Sequence, residues 1–179
     1  FHKKNPFQEG AQKEEIRQYL ICEESILDVL LQKMQDEKTV CQKGKVWHNP
    51  EFTVTLSNEE DSIQNNLLSQ LNKEGFSSSN LAQLSEKTGN SKDKLMRLLN
   101  VAEQQGKLLR IDGNLMFTQT NFIKLHKKVA QHFTNYSEMS VSEFKELAET
   151  SRKYAVPLLE YFDKKKITYR EGNTRKLVK

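Results

Sequence analysis

The sequence contains little glycine, proline or cysteine, and each shortage excludes a class of protein. Seven glycines and three prolines among 179 residues are too few for an all-β chain with many turns. No apolar run approaches the roughly 20 residues of a membrane-spanning helix, so we expect no membrane contact. Cys22 and Cys41 are the only cysteines, and free thiols in a lysine-rich chain fit a reducing compartment. No signal segment opens the chain, so the expected location is the cytoplasm.

The sequence motifs of catalysis are missing as well. There is no glycine-rich phosphate loop, nucleophile elbow or His-Glu-x-x-His pair. Cys22, Cys41, His2 and His48 do not have the paired spacing of structural zinc ligands, and buried free cysteines explain the two thiols better. We therefore expect neither an enzyme nor a bound metal or other cofactor.

What the chain does contain is one pattern written three times, with a period of about 60 residues. Each unit reads as helix, helix, helix and short hairpin, and we predict domains at 1–56, 57–118 and 119–179. The first domain is incomplete, because the residues before Asn5 read as the tail of a helix whose start is missing. A helix over Lys13–Leu20 and a hairpin over residues 39–47 follow. Because the chain begins with Phe1, we interpret it as a fragment or a processed product.

Serine residues mark the predicted helix starts of the second and third domains. Ser79 and Ser91 are predicted to cap the two later helices of the middle domain. Ser140 with Glu143 forms a capping box in the last domain. The pair Asp112-Gly113 predicts a tight hairpin turn.

The last thirty residues predict a helix followed by a basic hairpin. Ser151 is a good N-cap, and apolar residues recur behind it at helical spacing. Pro157 predicts a bend or an irregular first turn. Residues 167–170 alternate as a strand, Glu171-Gly172-Asn173 is a turn, and residues 174–178 return. The predicted fold class is therefore mainly α with small β-hairpins (α+β), arranged as tandem winged-helix domains.

The positive charge is concentrated in the last domain. Residues 1–56 carry 8 basic and 9 acidic side chains, and residues 57–118 carry 7 and 8. Residues 119–179 carry 13 and 7, which gives +6, while each of the other two domains has −1. Because Lys and Arg that neutralise phosphates release condensed counterions, a polyanion is the expected partner of the last domain. The first two domains are expected to be spacers or protein-docking modules.

The candidate binding residues lie at the start of the last helix and on the hairpin that follows it. They are Ser151, Arg152, Lys153, Tyr154, Arg170, Arg175 and Lys176. Positive charge at a helix start opposes the helix dipole, which favours a bound anion. The plainer alternatives are a solvated first turn and an edge hairpin protected by charge. Two lysine groups, 164–166 and 124, 127 and 128, are more typical of solvated helix surfaces.

Both ends of the chain resemble a known family. The segments FHKKNPFQEGAQKEEIRQYL and TSRKYAVPLLEYFDKKKITYREGNTRKLV are similar to the C-terminal extension of the bacterial selenocysteine-specific translation elongation factor. In that family the extension is a row of winged-helix domains behind a GTPase body, which is absent here. The resemblance implies that the last domain binds the messenger-RNA hairpin that recodes a UGA stop codon, through the seven residues named above.

The resemblance thus predicts an RNA-binding part of a selenocysteine-specific elongation factor. We also expect a monomer, with the ribosome as a further partner. Two other classes stay open on the residues alone. The first is a DNA-binding regulator that places the same helix and wing in a major groove. The second is a protein-interaction scaffold, which the acidic first and second domains favour. Salt-dependent binding to an RNA hairpin, to duplex DNA or to neither would separate the three.

Overall fold

The computed structural model describes residues 1–112 and 115–178, and the chain divides into two compact units. These units are Phe1–Asn58 and Glu59–Lys179. Gly113, the second half of the predicted Asp112-Gly113 turn, lies outside the described residues. No helix within the described ranges is long and apolar enough to cross a membrane.

The first unit combines two helices with a small antiparallel sheet. Its elements are β1 (Ala11–Gln12), α1 (Lys13–Leu20), α2 (Glu24–Asp36), β2 (Cys41–Lys43) and β3 (Val46–His48), with sheet order β1-β3-β2. The predicted helix before Asn5 is not present. The carbonyl of Phe1 accepts hydrogen bonds from the amides of Lys4 and Asn5, which makes a single turn in place of a helix. The interior is small, with Leu27 and Leu31 as its buried leucines.

The second unit begins with three helices and a hairpin, which correspond to the predicted middle domain. Its elements are α3 (Asn58–Glu74), α4 (Leu81–Thr88), α5 (Lys92–Gln104), β4 (Leu108–Asp112) and β5 (Leu115–Thr118). Ser91 caps α5 as predicted, since its hydroxyl accepts a hydrogen bond from the Lys94 amide. Ser79 does not cap α4. The cap is Asn80, whose side chain forms a capping box with Gln83.

Ser79 instead binds the end of the preceding helix. Its amide and hydroxyl both donate to the carboxylate of Glu74, at 2.8 and 2.9 Å. Lys87 donates to the same carboxylate at 2.8 Å. Burial by itself would raise the pKa of Glu74, but these hydrogen bonds outweigh it and lower the pKa to about 2. Glu74 therefore fastens the loop between α3 and α4.

The last domain repeats the order with one additional short strand. Its elements are α6 (Gln119–Asn135), β6 (Met139–Ser140), α7 (Val141–Leu147), α8 (Arg152–Lys164), β7 (Thr168–Glu171) and β8 (Thr174–Leu177). The predicted capping box of Ser140 and Glu143 is confirmed. The three strands form an antiparallel sheet in the order β6-β8-β7. Helix α8 continues through Pro157. Its first turn contains a tight hydrogen bond from the Tyr154 amide to the Ser151 carbonyl, at 3.0 Å.

Residues of the middle domain complete the hydrophobic interior of the last domain. Phe117 of β5 is fully buried in the same cluster as Phe144 and Phe162 of the last domain. Phe76, in the loop after α3, packs against this cluster, with its ring centroid 5.2 Å from that of Phe117. The hydroxyl of Thr150, just before α8, donates to the Phe76 carbonyl at 2.7 Å. The start of α8 is therefore held in place by the middle domain.

Candidate nucleic-acid interface

The first turn of α8 presents two cations to solvent. Ser151 occupies the N-cap position, but its side chain makes no capping hydrogen bond. Arg152 and Lys153 are both exposed. Neither forms an ion pair with any residue in the described part of the chain, and the ammonium of Lys153 lies 5.4 Å from the ring centroid of Tyr154. The helix is thus anchored by its apolar face, while its first two side chains stay available.

The charges of this turn are arranged unfavourably for the helix alone. No acidic residue lies in the first turn of α8. The neighbouring helix α7 has Glu143 in that position, where a carboxylate complements the helix dipole. Arg152 and Lys153 bring positive charge to the positive end of the dipole, and a bound anion would relieve the repulsion. An arrangement of this kind is suited to holding a phosphate.

On the hairpin, Arg170 is exposed and Arg175 is not. The Nε of Arg170 donates to the Gly172 carbonyl at 3.0 Å, which orients the side chain at the hairpin turn. Arg175, its partner in the strand register, is only 4% exposed. Its Nε lies 3.4 Å from Oδ2 of Asp163, on the last turn of α8. Arg175, which the sequence predicts to contact a polyanion, therefore has its guanidinium in the interior of the domain.

Lys176 is neutralised within its own domain. Its ammonium forms ion pairs with Glu138, at 3.3 Å, and with Glu171. Hydrogen bonds to Glu171 and Glu138 raise the pKa of Lys176. The lysine is positively charged, but two carboxylates lie beside it. Its attraction for a polyanion is therefore weaker than that of an unpaired cation.

The sequence reasoning overlooked an exposed aromatic side chain on the hairpin. Tyr169 of β7 is 45% exposed and lies opposite Lys176. Strand alternation is the signal that could have found it, because Thr168, the preceding residue, is buried. A tyrosine ring on an exposed hairpin is the type of group on which nucleic-acid bases stack.

The other lysines of the last domain differ in how free they are. Lys128 pairs with Glu149 at 2.8 Å. Lys165 lies 5.4 Å from the ring centroid of Tyr161, and Lys124 and Lys127 are exposed on α6. Elsewhere, Cys22 and Cys41 are free, half-buried cysteines. Across the described ranges no group of three or more His, Cys, Asp or Glu side chains could hold a metal ion.

Comparison with known families gives two matches. Two family models, each described as the winged helix of elongation factor SelB, match residues 131–177 and 1–48, which together exceed half of the chain. The selenocysteine-specific elongation factor of Desulfomicrobium baculatum is 21% identical over 100% of this chain. The factor of the same name from Escherichia coli (strain K12) is 21% identical over 97%. The chain spans only 28% of the length of either relative.

Solved structures also resemble the fold, including the following two. The first is the mRNA-binding domain of elongation factor SelB from E. coli in complex with SECIS RNA. It has a TM-score of 0.59 and 22% identity, over 69% of this chain and 100% of that chain. The second is a bacterial selenocysteine-specific elongation factor EF-Sec, with a TM-score of 0.53 and 20% identity, over 96% of this chain and 26% of that one. The predicted α+β winged-helix class is confirmed.

Proposed function

Because the chain belongs to the winged-helix region of the elongation factor SelB family, we propose that its last domain binds the mRNA hairpin that directs selenocysteine incorporation at UGA codons. The observation that carries the proposal is the first turn of α8, where Arg152 and Lys153 are exposed and unpaired among the described residues. The solved SelB domain of similar fold is described in complex with SECIS RNA, which supports the same reading.

Within this proposal the binding residues have different roles. Arg152 contacts phosphate or a guanine edge, since a guanidinium can donate two parallel hydrogen bonds to either. Lys153 neutralises phosphate, and Ser151 adds a hydroxyl that its own helix does not use. Arg170 contacts the RNA backbone from the wing. Lys176 contributes less positive potential to the RNA-binding surface, because Glu138 and Glu171 partly neutralise it.

The proposed role is that of a binding part and not of a catalytic one. The chain spans 28% of the length of its relatives, and we assign the GTPase activity of the whole factor to the remainder. We further propose that the segment is a monomer and works in the cytoplasm. The ribosome is its proposed further partner. A winged helix must read RNA at a loop or a bulge, because the base edges of an A-form stem lie in a deep, narrow groove.

The test is equilibrium binding of the full chain to three probes. These are the hairpin that follows a UGA codon of a selenoprotein gene from the same genome, a hairpin with altered loop bases, and duplex DNA. Tight binding to the first probe alone is expected. Arg152→Ala and Lys153→Ala should weaken it, while Lys127→Ala removes an equal charge from an exposed position on α6 and should not. Preference for duplex DNA would overturn the proposal.

A further inference from the structure

A cleft of about 670 Å³ opens between the two domains of the second unit. The middle domain contributes the start of α4, the first residue of α5 and one residue of β5. The last domain contributes the first turns of α8. Its main lining residues are Leu81, Lys92, Leu115, Lys153, Tyr154 and Pro157. The cleft is therefore a direct continuation of the first turn of α8, which carries the proposed RNA contacts.

One part of the cleft is suited to an anion. Lys92 from the middle domain and Lys153 from the last domain both line it, and both are exposed. Neither lysine forms an ion pair within residues 1–112 and 115–178. No carboxylate is among the described residues that line the cleft. Two uncompensated ammonium groups from different domains thus border one space, which favours a ligand that carries phosphate.

The other part of the cleft is suited to a flat, weakly polar group. Tyr154 is half-buried and packs against the interior of the last domain, so its ring is held in place. Leu81, Leu115 and Pro157 supply apolar surface beside it. Unpaired RNA bases stack on aromatic side chains in surroundings of this kind. The volume lies within the range of sites that hold small molecules, so one nucleotide has ample room.

We propose that this cleft binds one unpaired nucleotide of the RNA hairpin, with its base against Tyr154 and its phosphate between Lys92 and Lys153. The inference rests on the proposed function and extends it to the middle domain. Net charge gave no reason to expect an RNA contact there, since residues 57–118 carry −1. The position of Lys92 matters more than that total, because it places a cation beside the turn that carries Arg152 and Lys153.

The test measures binding of the full chain to the hairpin and to a fully paired stem without loop or bulge. Ala82→Leu fills the cleft from an exposed position of α4 without a change of charge, and leucine is a good helix former. It should weaken hairpin binding by roughly tenfold, as expected for the loss of one stacked base, and leave binding to the paired stem unchanged.

The lysine arm uses a matched pair of variants. Lys92→Ala should weaken hairpin binding and lower the slope of log affinity against log salt by about one. Lys73→Ala removes an exposed lysine of the same domain that does not line the cleft, and should change neither quantity. Thermal unfolding of each variant shows that the fold is kept.

Three results would overturn the inference while the proposed function stands: hairpin binding by Ala82→Leu equal to wild type, an equal loss on the paired stem, or equal effects of Lys92→Ala and Lys73→Ala. In each case the wild-type chain still prefers its hairpin, and Arg152→Ala still weakens binding. Absence of hairpin binding by the wild-type chain would overturn both proposals at once.

Discussion

The Nε of Arg175 lies 3.4 Å from the Oδ2 of Asp163, and this pair joins the central strand of the last sheet to the end of α8. The other carboxylate oxygen accepts a hydrogen bond from the buried hydroxyl of Thr168 at 2.6 Å. Asp163 thus fixes both strands of the hairpin against the helix. An arginine on a basic hairpin serves here to position the wing.

Arg175→Ala should therefore destabilise the last domain. Removing one partner of a buried ion pair leaves the other uncompensated, and we expect a loss of about 2–3 kcal/mol because Asp163 keeps 23% exposure. Chemical denaturation measures this loss. Arg170→Ala, which removes an exposed arginine of the same hairpin, should change stability by less than about 0.5 kcal/mol. Equal stabilities of the two variants would contradict the structural role of Arg175.

Arg152 and Arg170 should affect RNA binding in different ways. Arg152→Ala should weaken binding and reduce discrimination between the correct hairpin and one with altered loop bases by roughly tenfold, because base contacts carry specificity. Arg170→Ala should weaken both hairpins alike, since phosphate contacts carry no sequence information. Titration of both variants against both hairpins distinguishes the roles. If Arg152→Ala also loses affinity uniformly, the base-reading role passes to Tyr154.

Increasing salt concentration should weaken RNA binding, with a slope that corresponds to a few phosphate contacts. Arg175 is buried and Lys176 is paired, so Arg152, Lys153 and Arg170 are the main contributors of phosphate contacts, together with Lys92 of the cleft. Three to four contacts give a slope of log affinity against log salt of roughly −2 to −4. Affinities measured between low and physiological salt give this slope. A flat response would exclude phosphate contacts as the source of binding.

Removal of a carboxylate beside Lys176 should tighten RNA binding. Glu171→Gln takes a negative charge off the exposed hairpin and frees the ammonium of Lys176 from one of its two partners. The expected gain in affinity is roughly twofold to fivefold, the size of one exposed charge interaction, and it should shrink at high salt. Glu146→Gln on α7 serves as the control for net charge.

Glu74 should make the stability of the second unit sensitive to acid. Its pKa in the folded chain is about 2, below the ordinary value of 4.5, so it stabilises the fold fully above about pH 5. That contribution falls as the pH drops from about 5 to 2. Glu74→Gln should lose about 1–2 kcal/mol at pH 7, the value of its charge-assisted hydrogen bonds. The gap between variant and wild type should narrow below about pH 5 and close near pH 2 in urea unfolding curves.

Local features of the sequence predicted the local structure well. Helix α1 spans Lys13–Leu20 as expected, and Ser91 and Ser140 cap their helices. These features depend on residues within one or two turns of each other, so the sequence states them directly. The cap of α4 is an exception, because the sequence predicted Ser79 and the structure has Asn80. Ser79 donates its hydroxyl to Glu74, five residues before it, and Asn80 supplies the cap instead.

Contacts between distant residues decided the parts that could not be predicted. Nothing near Arg175 in the sequence shows that it turns inward, since its partner Asp163 lies 12 residues away on another element. The cleft beside α8 combines Lys92 and Tyr154, which only the packing of two domains brings together. Charge totals located the basic domain but could not tell which of its cations are already paired.

Phe76 belongs to the middle domain but packs against the interior of the last domain. This contact decides which segment must be exchanged to transfer RNA specificity between relatives. A transplanted segment that begins at residue 119 would leave Phe76 and Phe117 behind, and with them part of the interior that surrounds Phe144 and Phe162. It would also lose the carbonyl that receives the Thr150 hydroxyl next to α8. A chimaera designed to bind a new hairpin should therefore exchange Glu59–Lys179 as one piece. The middle domain must be transferred together with the last domain.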